Sequence, residues 1–255
     1  NITIVGETGS GKTTLMNSLD LTLPAHWRKI YIEDVVESIN QSEFGRHQAR
    51  YRVKTIADLN EESKTVQSLL SLHRSPDYFI LSEILTEEHS KALFSALSSG
   101  LKGMETFHST SVEQALRRWV IHHRIPLVCL KDLNLIVLMK KLEKIRLIRR
   151  VQGIYEVRED DPLKPVKIFS YDERSDELAL IMSLEDSETF RRIADFFCIS
   201  PSEVFKIYEE VKRGIKNEGM KIEEIKETVE FFDRLYRKII LSRWLHEPLK
   251  NLQAL

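Results

Sequence analysis

The sequence predicts an α/β protein: a doubly wound sheet built on a glycine-rich loop, then an antiparallel β extension, then a C-terminal helical region. Three observations carry this prediction. Through the first 132 residues, short apolar runs alternate with amphipathic helical stretches, the pattern of strands joined by crossover helices. Glycines at 6, 9 and 11 follow directly on the apolar run Ile2-Thr3-Ile4-Val5. From Leu133 the helical period gives way to apolar strands, and it returns after residue 183. These changes divide the chain into a core at 1–132, a β extension at 133–183 and a helical subdomain at 184–255.

Residues Gly6, Glu7, Thr8, Gly9, Ser10, Gly11, Lys12 and Thr13 match the pattern G-x-x-x-x-G-K-[ST], and Thr14 to Leu19 continue as a helix. A buried strand that ends in such a turn and opens a helix aims backbone N–H groups and the positive helix end at one spot. That spot binds polyphosphate. The glycines let the backbone close around the ligand, Lys12 reaches the β/γ-phosphates, and the Thr13 hydroxyl is offered to Mg²⁺.

Arg28 to Ile32 form a second strand, which ends among the carboxylates Glu33, Asp34 and Glu37. Residues 41–57 are polar and mixed, with Arg46, His47, Arg50 and Arg52. Glu61 to Leu72 read as a helix with Val66, Leu69, Leu70 and Leu72 on its apolar side, ended by Pro76-Asp77. Tyr78 to Leu81 form a third strand. It delivers Ser82 and Glu83 at its C-terminal end, where ligands of open α/β sheets gather. The next helix carries Ala92, Leu93, Ala96 and Leu97 and stops at Gly100. Thr106-Phe107-His108 follows, and Ser111 with Gln114 makes a capping box for the helix of Ala115, Leu116 and Trp119. Strands are expected at Leu133 to Lys140 and Ile145 to Val157, with a hairpin of Lys167 to Tyr171 and Glu177 to Met182. Ser200-Pro201-Ser202-Glu203 starts a helix. The last helix aligns Ile222, Ile225, Val229, Phe232, Leu235, Tyr236, Ile239 and Ile240 on a stripe that must pack on something.

The 38 basic and 39 acidic side chains nearly cancel, so net charge argues for neither a nucleic-acid nor an anionic membrane partner. The longest apolar stretch of the second half, Leu133 to Met139, is far below the roughly 20 residues that span a bilayer, and no signal-peptide pattern opens the chain. A cytoplasmic protein is expected. Cys129 and Cys198 lie in apolar sequence without metal-ligand spacing and read as reduced core residues. A phosphate-binding strand that begins at Asn1 predicts a fragment of a longer chain.

Nucleoside-triphosphate hydrolysis needs a phosphate cradle, a metal ion, a carboxylate that orients water, and polar groups on the γ-phosphate. Glu83 is the candidate for the water; Ser82 occupies the usual position of the metal-directed acid, so Glu83 reaches the metal through water. Glu33, on the adjacent strand end, can share in polarising water and holding Mg²⁺. His108 can sense or hydrogen-bond the γ-phosphate. His122 and His123 form no metal pair with Cys129. Arg117 and Arg118, with the run Lys140, Lys141, Lys144, Arg146, Arg149 and Arg150, read mainly as a solvated, lysine-protected strand edge.

These pieces, in this order, resemble the secretion ATPase superfamily that drives type II and type IV secretion and builds type IV pili and archaella. The loop Gly6 to Thr14 is complete, Tyr31 to Glu37 resembles the family's aspartate box, Pro76 to Ile84 its Walker B segment, and Gly100 to His108 its histidine box. The hairpin with Arg149-Arg150-Val151 is closest to the archaeal branch. The resemblance implies a RecA-like P-loop fold and a Mg²⁺- and ATP-dependent motor, with Glu83, Glu33 and His108 catalytic. It further implies a hexamer at the cytoplasmic face of the membrane, working on a polytopic platform protein without direct nucleic-acid binding. The family's N-terminal domain has no counterpart here. Ser82-Glu83-Ile84-Leu85 departs from the usual Gly-Glu-Ile-Arg, His73 stands at an arginine position, and Leu101 stands at a histidine position. These departures leave open a catalytically weak, nucleotide-dependent assembly scaffold, or compensation by Arg46, Arg50 and Arg52. A nucleic-acid-translocating motor is the third reading, and near-zero net charge weighs against it.

Overall fold

Short runs rich in apolar residues become strands buried on both faces. The computed structural model describes residues 1–53, 63–143, 147–218 and 225–237. Four such runs form the centre of the sheet: β1 (Ile2–Gly6), β2 (Lys29–Glu33), β4 (Tyr78–Ile84) and β5 (Gly103–His108). Between β2 and β4 in sequence lies β3 (Ala49–Arg52), and beyond β5 come β6 (Leu135–Glu143), β7 (Leu147–Glu156), β8 (Val166–Asp172) and β9 (Glu177–Leu180). Their spatial order is β3-β2-β4-β5-β1-β6-β7-β8-β9.

Successive residues of the central strands face opposite layers. Ile4, Tyr31, Ile80 and Met104 meet Met16 of helix α1 (Lys12–Asp20) on one face. Val5, Ile30, Phe79 and Phe107 meet Leu93, Leu116 and Trp119 on the other. These last come from α3 (Glu87–Ser98) and from α4 (Val112–Arg117) with the turn after it; α2 (Lys64–His73) crosses from β3 to β4. The doubly wound arrangement follows, with all strand ends that carry functional residues on one edge.

Two sequence expectations need correction. The strand at Leu133 to Lys140 is not part of an antiparallel unit alone: β6 runs parallel to β1, and only β7, β8 and β9 are antiparallel additions. The connection from β5 through α4 to β6 is long enough to return the chain for parallel pairing, which strand patterning cannot distinguish. Cys198 is exposed with φ +52°, outside the core, and both cysteines are free thiols.

Glu156, buried at the end of β7, joins the sheet to the C-terminal helices. It accepts from the Glu188 (3.0 Å) and Thr189 (2.7 Å) amides at the start of α5 (Glu188–Phe196) and from the Ser187 hydroxyl. These bonds hold its carboxyl below the usual range against the cost of burial. Helix α6 (Pro201–Glu218) begins at the expected capping box, Ser200 N to Glu203 Oε2 at 2.9 Å. In α7 (Ile225–Tyr236), Val229 and Phe231 are buried and Asp233 pairs with Arg46 at 2.7 Å. Ile222, Ile239 and Ile240 of the expected stripe lie outside the described residues. None of the described helices is long and apolar enough to cross a membrane.

Glu105, fully buried on β5 opposite Thr3, accepts the Thr3 hydroxyl on Oε1, while Oε2 has no hydrogen-bond partner. Burial pushes its carboxyl up to about 7, with the Thr3 bond opposing. The unfolded chain therefore ionises first, and stability is lost as pH rises from about 4.5 through 7. Glu105→Gln removes this loss. Urea unfolding is expected to show the variant gaining about 2 kcal/mol over the native protein between pH 5 and pH 8; a pH-independent difference contradicts the neutral-carboxyl state.

Candidate active site

Parallel register sets Gly6 at the end of β1 directly beside His108 at the end of β5, with the end of β4 on the far side of β5. The glycine-rich loop then turns through Gly9 (φ +72°) and Gly11 (φ +93°), a conformation that side chains resist. Gly11 caps α1 with no side-chain hydrogen bond, so the amides at the helix start remain available to an anion. Above them lies a cavity of about 860 Å³ lined by Thr8, Lys12, Thr13, Asp34, Glu37, Glu83 and His108, among others.

Lys12 is buried, and its ammonium donates to the Gly6 and Glu7 carbonyls at 3.1 Å each. Burial lowers its pKa, which Glu83 and Glu37 act to raise. Its Nζ lies 3.2 Å from His108 Nδ1, and His108 Nε2 is hydrogen-bonded to Glu83 Oε1. A neutral imidazole with its proton on Nε2 satisfies both contacts, accepting from Lys12 and donating to Glu83. Three strand ends are thereby linked by one polar chain.

Glu83 has φ +40° and sits in a bulge where the β4–β5 register shifts between Leu81 and Ile84. The bulge turns its carboxylate to the cavity while its amide donates to Thr106 Oγ1 at 2.9 Å. Thr13 lines the same cavity. Among the described residues no three His, Cys, Asp or Glu side chains could hold a metal. The Thr13 hydroxyl and the Glu83 carboxylate in the cavity are oxygen donors that fit Mg²⁺, which takes few protein ligands and keeps water and substrate phosphates.

Glu33 stands apart from this group. It is 1% exposed, and its oxygens accept from Ser38 N (2.9 Å), Glu37 N (3.3 Å) and Ser38 Oγ (2.8 Å). It braces the loop after β2, and the neighbouring Asp34 and Glu37 reach the cavity instead. β2 ends at Glu33, so Asp34 and Glu37 belong to the loop that follows and not to the strand.

The basic residues divide likewise. Arg149 Nε donates to Gly9 O at 2.7 Å and lines the cavity, whereas Arg150 pairs with Asp176 on the surface. The solvated-edge expectation therefore fails for Arg149, because the β6–β7 register carries it over the loop. Arg118 clasps the carbonyls of His108 (3.1 Å) and Leu85 (3.2 Å). Arg46 binds Leu21 O and Asp233, and Arg50 binds Ser38 O. Neither of the latter lines the cavity. His123 is hydrogen-bonded to Ser90 at 2.6 Å, and Leu101 packs on the core.

Residues 1–137 match the family model described as "Type II/IV secretion system protein". The chain belongs to that family. The uncharacterized protein MJ1287 of Methanocaldococcus jannaschii is 31% identical over 220 residues, covering 80% of this chain and 76% of that protein. The type IV secretion system protein PtlH of Bordetella pertussis is 31% identical over 133 residues, 52% of this chain and 38% of PtlH. Among solved structures, the ATPase DotB of Yersinia pseudotuberculosis aligns at a TM-score of 0.50 and 14% identity, over 91% of this chain and 57% of DotB. The last comparison bears on the fold alone.

Replacing Glu33 by alanine leaves the Glu37 and Ser38 amides without their acceptor. Thermal or urea melts are expected to show a loss of about 2 kcal/mol; unchanged stability would contradict the bracing role.

Proposed function

We propose that this chain is the motor portion of an ATPase that powers pilus or archaellum assembly or protein secretion, working as a hexameric ring. The observation that carries the catalytic part is the chain Lys12–His108–Glu83, set at the mouth of an open helix N-terminus. Family membership and relatives named for type IV secretion support the cellular part.

In this reading the amides of Gly9 to Thr14 cradle the ATP phosphates, which compete with two carbonyls and His108 for the Lys12 ammonium. Mg²⁺, held by the Thr13 hydroxyl and through water by Glu83, would neutralise charge between the phosphates. Glu83 orients the attacking water and receives its proton. His108, freed from Lys12, turns its single N–H from Glu83 to the γ-phosphate and so releases the Glu83 carboxylate for the water. Arg149, fixed to the loop in the same subunit, adds positive charge at the cavity rim. Glu33 contributes by holding Asp34 and Glu37 in place. Hydrolysis would shift one subunit against the next, and a polytopic membrane platform protein would receive that motion. Such a protein resides in the cytoplasm at the membrane surface.

Steady-state hydrolysis tests the reading. Glu83→Gln should bind Mg-ATP as the native chain does and turn it over about 10²- to 10³-fold more slowly, and Lys12→Ala should lose binding. A native chain that binds ATP without turnover that depends on Glu83 would favour the scaffold.

A further inference from the structure

Lys64, at the first position of α2, is fully buried and far in sequence from every group it touches. Its ammonium donates to the Ser82 and Glu83 carbonyls at 2.8 Å each and to Asp34 Oδ2 at 2.6 Å. Three donors thus meet three acceptors. In a regular strand consecutive carbonyls point to opposite sides. Here the carbonyls of 82 and 83 converge on one cation because the bulge in β4 has turned them out of the ladder, in company with the left-handed φ of Glu83. Two carbonyls without ladder partners and a non-glycine residue at positive φ are each costly in a buried setting. A buried ammonium is costly as well unless fully paired. Each of these costs is met by the others. The Asp34 carboxylate supplies the opposite charge, and its second oxygen, Oδ1, is buried without a partner.

We propose that Lys64 is a positioning residue for hydrolysis: it fixes the bulge that aims Glu83 and locks it to Asp34, joining the aspartate-bearing loop to the glutamate strand. This rests on the reading of Glu83 as the hydrolytic carboxylate. Lys64 touches no substrate. Its effect passes through the backbone it holds, so it should govern turnover and leave nucleotide affinity alone.

Lys64→Met keeps the length of the side chain and removes the charge and all three donors. With Mg-ATP, the variant is expected to lose about a hundredfold in kcat, with KM and nucleotide Kd within about threefold of native, as for a small misplacement of a reacting group. In the Glu83→Gln background the same substitution should change kcat by less than about twofold, since the two residues act as one unit. Native-like turnover in Lys64→Met, or additive losses, would overturn the proposal. If Lys64→Met leaves Asp34 so poorly paired that the protein does not fold, Lys64→Met/Asp34→Asn is compared with Asp34→Asn alone. The double variant must fall at least about tenfold below that reference, and equality overturns the proposal. Hydrogen exchange without nucleotide gives a readout independent of activity. The Glu83 and Ile84 amides should exchange about tenfold faster in the lysine variant, and unchanged protection overturns the strut. Turnover that survives Glu83→Gln would instead overturn the proposed function, with the exchange result still deciding the role of Lys64.

Discussion

A buried ammonium must find acceptors, and in this protein the acceptors of Lys12 dictate how the strand ends meet. Two of its three partners are carbonyls of the loop itself, and the third is an imidazole from β5, the strand beside the one that carries Glu83. No carboxylate among these partners neutralises it directly. The cation is therefore held by dipoles and by one neutral ring, an arrangement that polyphosphate can outbid because it brings full negative charge to the same donor. The open start of α1 and the left-handed glycines leave the space for that exchange. Glu83 is joined to this group through His108, so in the proposed function occupancy of the phosphate site and placement of the carboxylate would be one event.

The rest of the fold serves to keep these ends in register. Parallel pairing of β1 with both β5 and β6 fixes the loop from two sides, and β7 then brings Arg149 across it. Arg118 pins the carbonyls that follow β4 and close β5. Further out, Glu156 ties α5 to the sheet and Arg46 ties α7 to the segment that precedes β3. Arg46 also donates to Gln41 Oε1 at 3.4 Å, so one polar link runs from α7 to the segment between β2 and β3.

Much of the fold was legible because its cues are local. The glycine loop, the strand through Glu83, the Ser111 N-cap, the capping box at Ser200, and the hairpin of β8 with β9 each depend on residues within a few positions of one another. β3 was not legible, since Ala49–Arg52 is a four-residue edge strand whose arginines suit an edge and hide the period. The site divides in the same way. Lys12, Thr13, Glu83 and His108, chosen from motif and placement, line one cavity, whereas Glu33, the last residue of β2, is buried against the loop that carries Asp34 and Glu37, a contact that motif placement does not show. Lys64, Arg118 and Arg149 act on partners 10 to 140 positions away, and no local pattern reveals such pairs.

The most direct test of the exchange at Lys12 is a crystal structure with Mg²⁺ and a non-hydrolysable ATP analogue. Release of Lys12 from the Gly6 and Glu7 carbonyls and from His108, with its Nζ about 3 Å from β- and γ-phosphate oxygens, is the predicted result. An analogue bound while Lys12 keeps its present partners, or seated away from Gly9 to Thr14, would contradict it.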